Sequence, residues 1–120
     1  AAIAAFKKGL ANNPADSEAK AGLAQVELLQ RLEGKDPERA LADARDARPG
    51  EVDTQLLAAD VEVSRGEFSA GFQRVLAVIT STAGEERETA RKRLVELFLL
   101  APEGSPEVAE ARKKLALALF

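Results

Sequence analysis

Five serines and a large set of carboxylates are the side chains of this sequence that could take part in catalysis. Serine needs an adjacent base to become a nucleophile, and the 120 residues include no His. Paired carboxylates do acid–base work only when a cleft holds them at a fixed separation, and no sequence pattern marks such a pair. We therefore predict no catalytic residue and no enzymatic activity.

Residues that bind metals and redox cofactors are also missing. The chain has no Cys and no His, which excludes zinc knuckles, thiolate nucleophiles, disulfides and His-based chemistry. No Walker loop, dinucleotide-binding glycine motif or calcium loop occurs. We predict no cofactor and no metal, and nothing in the cysteine content argues against a reducing cytoplasm.

Basic residues gather in two clusters, which are the candidate contacts for nucleic acid. They are Arg87, Arg91, Lys92 and Arg93, and Arg112, Lys113 and Lys114. The net charge is −3, glutamates are interleaved, and neither Tyr nor Trp is present to stack on bases. Ion pairs on a solvated helix face explain the pattern better, so we predict no nucleic-acid binding. No apolar run reaches the roughly 18 residues of a transmembrane helix, so we predict no membrane contact.

The elements that carry these side chains are predicted to be helices. The apolar content is 46% and consists largely of Ala and Leu, whereas aromatic residues make up only 4%. Asp36-Pro37 and Ser105-Pro106 each place a capping residue before a first-turn proline. Short connections predict that consecutive helices pack antiparallel. About seven helices are predicted, over residues 2–12, 17–32, 37–47, 51–65, 67–82, 85–100 and 106–119.

An internal repeat is visible in this series of helices. Ala2-x3-Phe6-x2-Gly9 ends at Pro14, and Pro37-x3-Leu41-x2-Ala44 ends at Pro49, 35 positions later (49 minus 14). The helices over 17–32 and 51–65 align at the same spacing. This period is close to the roughly 34 residues of tetratricopeptide repeats. We predict an all-α, tetratricopeptide-like stack of antiparallel helix pairs forming one domain over residues 1–120, with a non-repetitive helical bundle as the alternative.

The whole chain resembles the C-terminal tetratricopeptide-like domain of bacterial thioredoxin-fused co-chaperones, the chaperedoxin family. Three segments carry the resemblance: NPADSEAKAGLAQVELLQRL, ALADARDARPGEVDTQLLAADVEVSRGEFSAGFQRVL and RKRLVELFLLAPEGSPEVAEARKKLALALF. It implies an upstream thioredoxin-fold domain, a cytoplasmic location, and a role in holding unfolded clients or delivering them to the chaperonin. The chain starts without Met and inside a helical pattern, so we expect it to be the C-terminal part of a longer protein.

The first helix of each pair is expected to line a concave surface that docks partner peptides. The predicted groove is apolar with few charges, which suits hydrophobic segments. It consists of Ala21, Gln25, Leu28, Leu29, Leu56, Leu57, Asp60 and Val63. Alternatively, its leucines pack against flanking helices or against the rest of a longer protein. The Lys and Asn of carboxylate-binding clamps are replaced at the equivalent positions, so binding of an acidic C-terminus is not expected.

A second candidate surface lies in the two C-terminal helices. Residues 97–100 and 115–120 are apolar around more than one face, which suits a dimer interface, a client surface or the seat of an upstream domain. Alternatively, both helices bury their full circumference. The sequence thus predicts a module that binds other proteins, with an oligomerisation or intramolecular docking domain, including a homodimer, as the alternative function.

Overall fold

The computed structural model describes residues 17–119 of the chain, and this part is entirely helical outside its loops. Each helix begins and ends within two residues of its predicted range. The all-α prediction is confirmed, and the predicted helix over residues 2–12 lies outside the described residues. The helices are α1 (Ser17–Leu32), α2 (Pro37–Asp46), α3 (Val52–Ser64), α4 (Phe68–Ser81), α5 (Gly84–Phe98) and α6 (Pro106–Leu119).

The two predicted helix starts use different chemistry. At α2, the Asp36 side chain accepts hydrogen bonds from the backbone N–H groups of Glu38 (3.0 Å) and Arg39 (3.3 Å). Pro37 occupies the first turn, where no N–H is needed. At α6, the Ser105 hydroxyl instead donates to the Glu107 carboxylate. Both helices begin as predicted, but only the start of α2 has the expected side-chain cap.

Three consecutive helices, α3, α4 and α5, form the centre of the domain. α3 packs against α4 and α4 against α5, and the short links make both pairs antiparallel. α2 packs against α3, whereas α6 has its main contacts with α4 and α1 has its main contacts with α3. The prediction that consecutive helices pack together therefore fits the centre, while α1 and α6 pack chiefly on a helix two places along the chain.

The hydrophobic core lies between α4 and the helices around it. Phe72 of α4 meets Phe98 of α5 edge to face, with ring centroids 5.1 Å apart and an angle of 89° between the rings. The core also contains the fully buried side chains Val75, Val78, Ile79, Ala90, Leu94 and Leu97. This packing makes α3, α4 and α5 one compact unit on which the other helices rest.

α3 is enclosed on nearly all sides, so its polar residues need partners inside the domain. The buried amide of Gln55 donates to the carbonyl oxygens of Ala44 (3.0 Å) and Arg48 (3.3 Å), at and just beyond the end of α2. Its oxygen accepts from Arg74 of α4 (2.7 Å), and Arg74 also pairs with Glu62 (2.7 Å). These bonds satisfy the unpaired carbonyls that every helix end leaves, and they join α2, α3 and α4.

α3 and α4 approach each other most closely at Gly71. A Cβ atom added there would lie 2.7 Å from Cγ2 of Val63 and 3.2 Å from the carbonyl oxygen of Ala59. Val63 is β-branched and buried, so it has little freedom to move aside. The glycine is therefore required by the distance between the two helices.

We predict that Gly71→Ala destabilises the domain by about 1 to 3 kcal/mol in urea unfolding, because the new methyl group overpacks the interface. Val63→Ala removes the group in the way, so the double variant should show a favourable coupling energy of at least about 1 kcal/mol. An alanine in place of glycine at an exposed helical position stabilises by up to about 1 kcal/mol. A stabilising Gly71→Ala would therefore contradict this interpretation.

Candidate functional site

The structure places the eight residues of the predicted groove in different surroundings. Leu28, Leu56 and Val63 belong to the hydrophobic core, and Asp60 is also buried. Val63 faces Gly71 of α4, so it lies at a helix interface rather than on a groove. These four side chains are buried within the domain, which is the packing against flanking helices that the alternative describes, and Leu56 and Asp60 also border a cavity between α1, α3 and α5. That they bind a partner stays a prediction.

The other four groove residues keep some exposure. Leu57 lines a small cavity of about 250 Å³ between α1, α3 and α5. Leu29 is 56% exposed and borders a shallow apolar depression beside Val26. Gln25 is exposed on α1, and Ala21 lines a cavity at the other end of the domain. That any of these residues binds a partner stays a prediction.

Asp60 is the centre of a charged network that joins three helices. Its carboxylate is 1% exposed and accepts two hydrogen bonds from Arg31 of α1, at 2.9 and 3.0 Å. Arg93 of α5 donates to the same carboxylate at 2.7 Å. Arg31 also donates to Glu96 of α5 at 2.9 Å. A buried carboxylate with two guanidinium partners is well compensated, which explains how a charge can lie inside an apolar helix.

Arg31 remains charged at every pH used for protein work. Burial on its own would lower the pKa of this guanidinium, but its hydrogen bonds and charge interactions with Asp60 and Glu96 raise the pKa above its usual value. A raised pKa stabilises the fold until the pH rises through the folded-state value. Since that value is strongly alkaline, pH changes near neutrality do not detach Arg31 by deprotonation.

No sequence pattern identifies Arg31, Arg93 or Glu96 as parts of this network. They lie 29, 33 and 36 positions from Asp60 (60 minus 31, 93 minus 60, 96 minus 60), so no local spacing connects them. The sequence does contain one indication that Asp60 has a cationic partner. Asp60 stands between the apolar residues Ala59 and Val61, and a buried carboxylate needs a cation. This local pattern indicates that Asp60 needs a cation as its partner, but it does not indicate which Arg or Lys that cation is.

A large cavity lies where α5 ends and α6 begins, and we call it the α5–α6 cleft. Its volume is about 660 Å³, and Ala21 of α1 closes one side. The guanidinium of Arg112 lies 5.6 Å from the centre of the Phe98 ring, which forms a cation–π wall. The rest of the lining is partly apolar and partly polar. The apolar residues are Leu99, Ala101, Pro102, Val108 and Ala109, and the polar or charged ones are Glu18, Glu103 and Ser105.

The C-terminal helices leave several large apolar side chains exposed. Val95 of α5 is 42% exposed, and Leu99, which directly follows α5, is 38% exposed one turn later. Leu117 of α6 is 80% exposed. The alternative that both helices bury their full circumference therefore does not hold in the described part of the chain.

The basic clusters are largely occupied by contacts within the domain. Arg87 donates to the carbonyl oxygens of Ile79 (3.2 Å) and Thr82 (3.0 Å) at the end of α4. Arg91 pairs with Glu88 at 2.6 Å, and Lys114 pairs with Glu110 at 3.3 Å. These contacts agree with the predicted ion-paired helix faces.

None of the helices over residues 17–119 combines the length and the apolar character needed to cross a membrane. In the same residues, no group of three or more acidic side chains is arranged to hold a metal ion.

We predict that Asp60→Asn destabilises the domain by about 2 to 4 kcal/mol, because two partly buried arginines lose their shared counter-charge. Asp43→Asn is the matched control, since Asp43 forms an exposed pair with Arg39 at 3.5 Å. The control should change stability by less than about 0.5 kcal/mol. Urea unfolding at neutral pH measures both, and equal effects would show that the Asp60 network does not stabilise the fold.

Comparison with known proteins gives relatives of the whole chain. Proteins of Mycobacterium bovis and of two strains of Mycobacterium tuberculosis are each 38% identical to it over 120 residues, which is all of this chain. Each bears the name uncharacterized protein. The chain spans 39% of the length of these relatives. No solved structure gives a significant match.

A protein family described as Tetratricopeptide repeat matches residues 30–120. The matched region contains α2 to α6, and all of α1 before residue 30 lies outside it. The match agrees with the helical pairs of the structure and with the predicted type of repeat. The family thus matches about three quarters of the sequence, and the helical architecture is the one expected of it. The chain belongs to the tetratricopeptide repeat family.

Proposed function

We propose that this domain is a non-catalytic protein–protein interaction module, the client- or chaperonin-binding part of a bacterial co-chaperone that acts in the cytoplasm. Tetratricopeptide repeats generally mediate contacts between proteins, and helical repeats of this kind present extended binding surfaces. The resemblance to thioredoxin-fused co-chaperones supports the finer part of the proposal. The greater length of the mycobacterial relatives supports a place for this domain within a longer protein.

The observation that carries the proposal is the α5–α6 cleft. Its volume of about 660 Å³ falls within the range of natural binding pockets, about 300–1,000 Å³. Leu99, Pro102 and Val108 form the apolar part of its wall, and Glu18, Glu103 and Arg112 add charged groups to it. Such a cleft accepts apolar side chains that a folded client would keep buried. It selects for hydrophobicity rather than for one sequence, as a holding function requires.

Burial of apolar surface is the proposed source of affinity. Each Å² removed from water contributes about 25 cal/mol, from which the cost of association is subtracted. Because this energy is not electrostatic, binding should depend only weakly on salt. A nucleic-acid partner would instead bind with a steep salt dependence.

We predict that Leu99→Lys weakens binding of a reduced, alkylated and permanently unfolded protein at least about tenfold, because it places a charge at the cleft. Leu117→Lys is the matched control, since Leu117 is more exposed and lies outside the cleft lining. Fluorescence anisotropy with the labelled unfolded protein measures both variants, and the native form of the same protein should not bind.

Two outcomes would overturn this assignment. Equal weakening by Leu99→Lys and Leu117→Lys would mean that the cleft is not the binding surface. Binding of the native form as tightly as the unfolded form would exclude a client-holding role. The affinity of purified chaperonin for the domain, measured with the same variants, distinguishes a client surface from a chaperonin surface.

The alternative function, an oligomerisation or intramolecular docking domain, is favoured by Val95 and Leu99. These exposed side chains lie one turn apart at the C-terminal end of α5 and form a short apolar stripe, such as a second copy could cover. A homodimer predicts a mass that rises with concentration in sedimentation equilibrium and that Val95→Lys returns to the monomer value. A constant monomer mass would exclude self-association.

A further inference from the structure

The charged groups that line the α5–α6 cleft do not balance. Among the described lining residues, Glu18 and Glu103 supply two carboxylates and Arg112 supplies one guanidinium, so the net charge is −1 (two negative, one positive). Arg112 lies over the Phe98 ring, with 5.6 Å between the guanidinium carbon and the ring centre. An aromatic face stabilises a cation in this position, so Arg112 already has a partner. The unbalanced charge of the cleft is therefore negative.

Glu103 is the lining carboxylate that remains open to a ligand. It is exposed in the loop between α5 and α6, and its carboxylate has neither a hydrogen bond nor an ion pair with any other described residue. The backbone that carries it is ordered by a turn, because the N–H of Ser105 donates to the carbonyl oxygen of Pro102 at 3.1 Å. Gly104 completes this turn with a φ of 77°, which glycine adopts readily. The turn thus holds a free carboxylate beside the cleft.

The helix ends at the cleft add to this negative charge. α1 and α6 begin there, and each has an acidic residue in its first turn, Glu18 and Glu107, which offsets the positive end of the helix. α5 ends there and has no basic residue in its last turn. The last carbonyl groups of a helix favour a nearby cation. The end of α5 therefore favours a positively charged ligand group at the same place as Glu103.

The apolar wall and the free carboxylate are neighbours in the chain. Leu99, Pro102 and Glu103 lie within five consecutive residues and line the same cleft. Adjacent Cα atoms are about 3.8 Å apart, and an extended ligand advances about 3.3–3.6 Å per residue. A ligand whose apolar side chains contact Leu99 and Pro102 therefore brings its next one or two residues to Glu103.

We propose that the α5–α6 cleft selects, among unfolded segments, those in which an apolar stretch is flanked by lysine or arginine. The apolar side chains pack against Leu99, Pro102 and Val108, and the flanking cation meets Glu103 and the end of α5. Acidic flanks are disfavoured because they meet the same negative groups. The proposal rests on the protein-interaction function above and adds to it the charge of the preferred client segment.

Three fluorescent peptides test this preference on the unmodified chain. They share the core Leu-Val-Leu-Leu and differ only in the two residues on each side, which are Lys, Ser or Glu. At about 0.02 M salt, the Lys-flanked peptide should bind at least about threefold more tightly than the Glu-flanked peptide, with the Ser-flanked peptide between them. Screening should reduce this difference to less than about twofold at about 0.5 M salt. Fluorescence anisotropy measures all three affinities.

Glu103→Lys is the decisive variant, because it changes the net charge of the described lining from −1 to +1. It should invert the ranking, so that the Glu-flanked peptide binds more tightly than the Lys-flanked one. Asp43→Lys is the matched control, since it makes the same change of charge on α2, outside the cleft lining, at a side chain that is 57% exposed. It should keep the ranking of the unmodified chain. Circular dichroism checks that both variants are folded.

Equal binding of the Lys-flanked and Glu-flanked peptides overturns the charge preference and leaves the interaction function standing. Tighter binding of the Glu-flanked peptide to the unmodified chain also overturns it, because the cleft would then select acidic segments through Arg112. An inversion by Asp43→Lys as complete as that by Glu103→Lys would trace the preference to the charge of the whole chain, which overturns the assignment to the cleft. If none of the three peptides binds, the interaction function of the cleft fails together with this proposal.

Discussion

The carboxylate of Asp60 limits how three helices can pack. It is 1% exposed, and an unpaired charge at such a depth costs several kcal/mol. α3 can therefore be enclosed by other helices only where cations reach Asp60. Arg31 of α1 and Arg93 of α5 supply these cations. Apolar contacts tolerate small sliding movements, whereas a shift of one helical turn would separate these charges. The ion network thus sets the register of α1 and α5 on α3, and the leucines fill the space that this register leaves.

Much of the fold could be predicted because the signals are local. The capping of Asp36 and the fixed φ of Pro37 act within one helical turn, so the start of α2 is correct to the residue. Apolar periodicity likewise acts over a few turns, which is why the described helices have nearly their predicted bounds. The spacing between Pro14 and Pro49 suggests the type of repeat, and a family of that repeat type matches residues 30–120.

The site could be predicted only in part, because it depends on contacts between distant parts of the chain. Leu28 and Leu29 are the same residue type side by side, and only the position of α1 decides that one is buried and the other exposed. Repeat alignment placed Val63 on the groove, but the close approach at Gly71 turns it toward α4. The position of Arg31 against α3 and α5 depends on pairs that lie 29 and 65 residues apart, which no periodicity contains.

Gln55 has a consequence for how this domain can change during evolution. Its amide serves the carbonyl groups at the end of α2 and, through its oxygen, Arg74 of α4, which in turn holds Glu62. A substitution at any one of these positions leaves a buried donor or acceptor without its partner. Descendant sequences should therefore alter Gln55, Glu62 and Arg74 together or not at all, so that inherited variation at three separated positions behaves as a single trait.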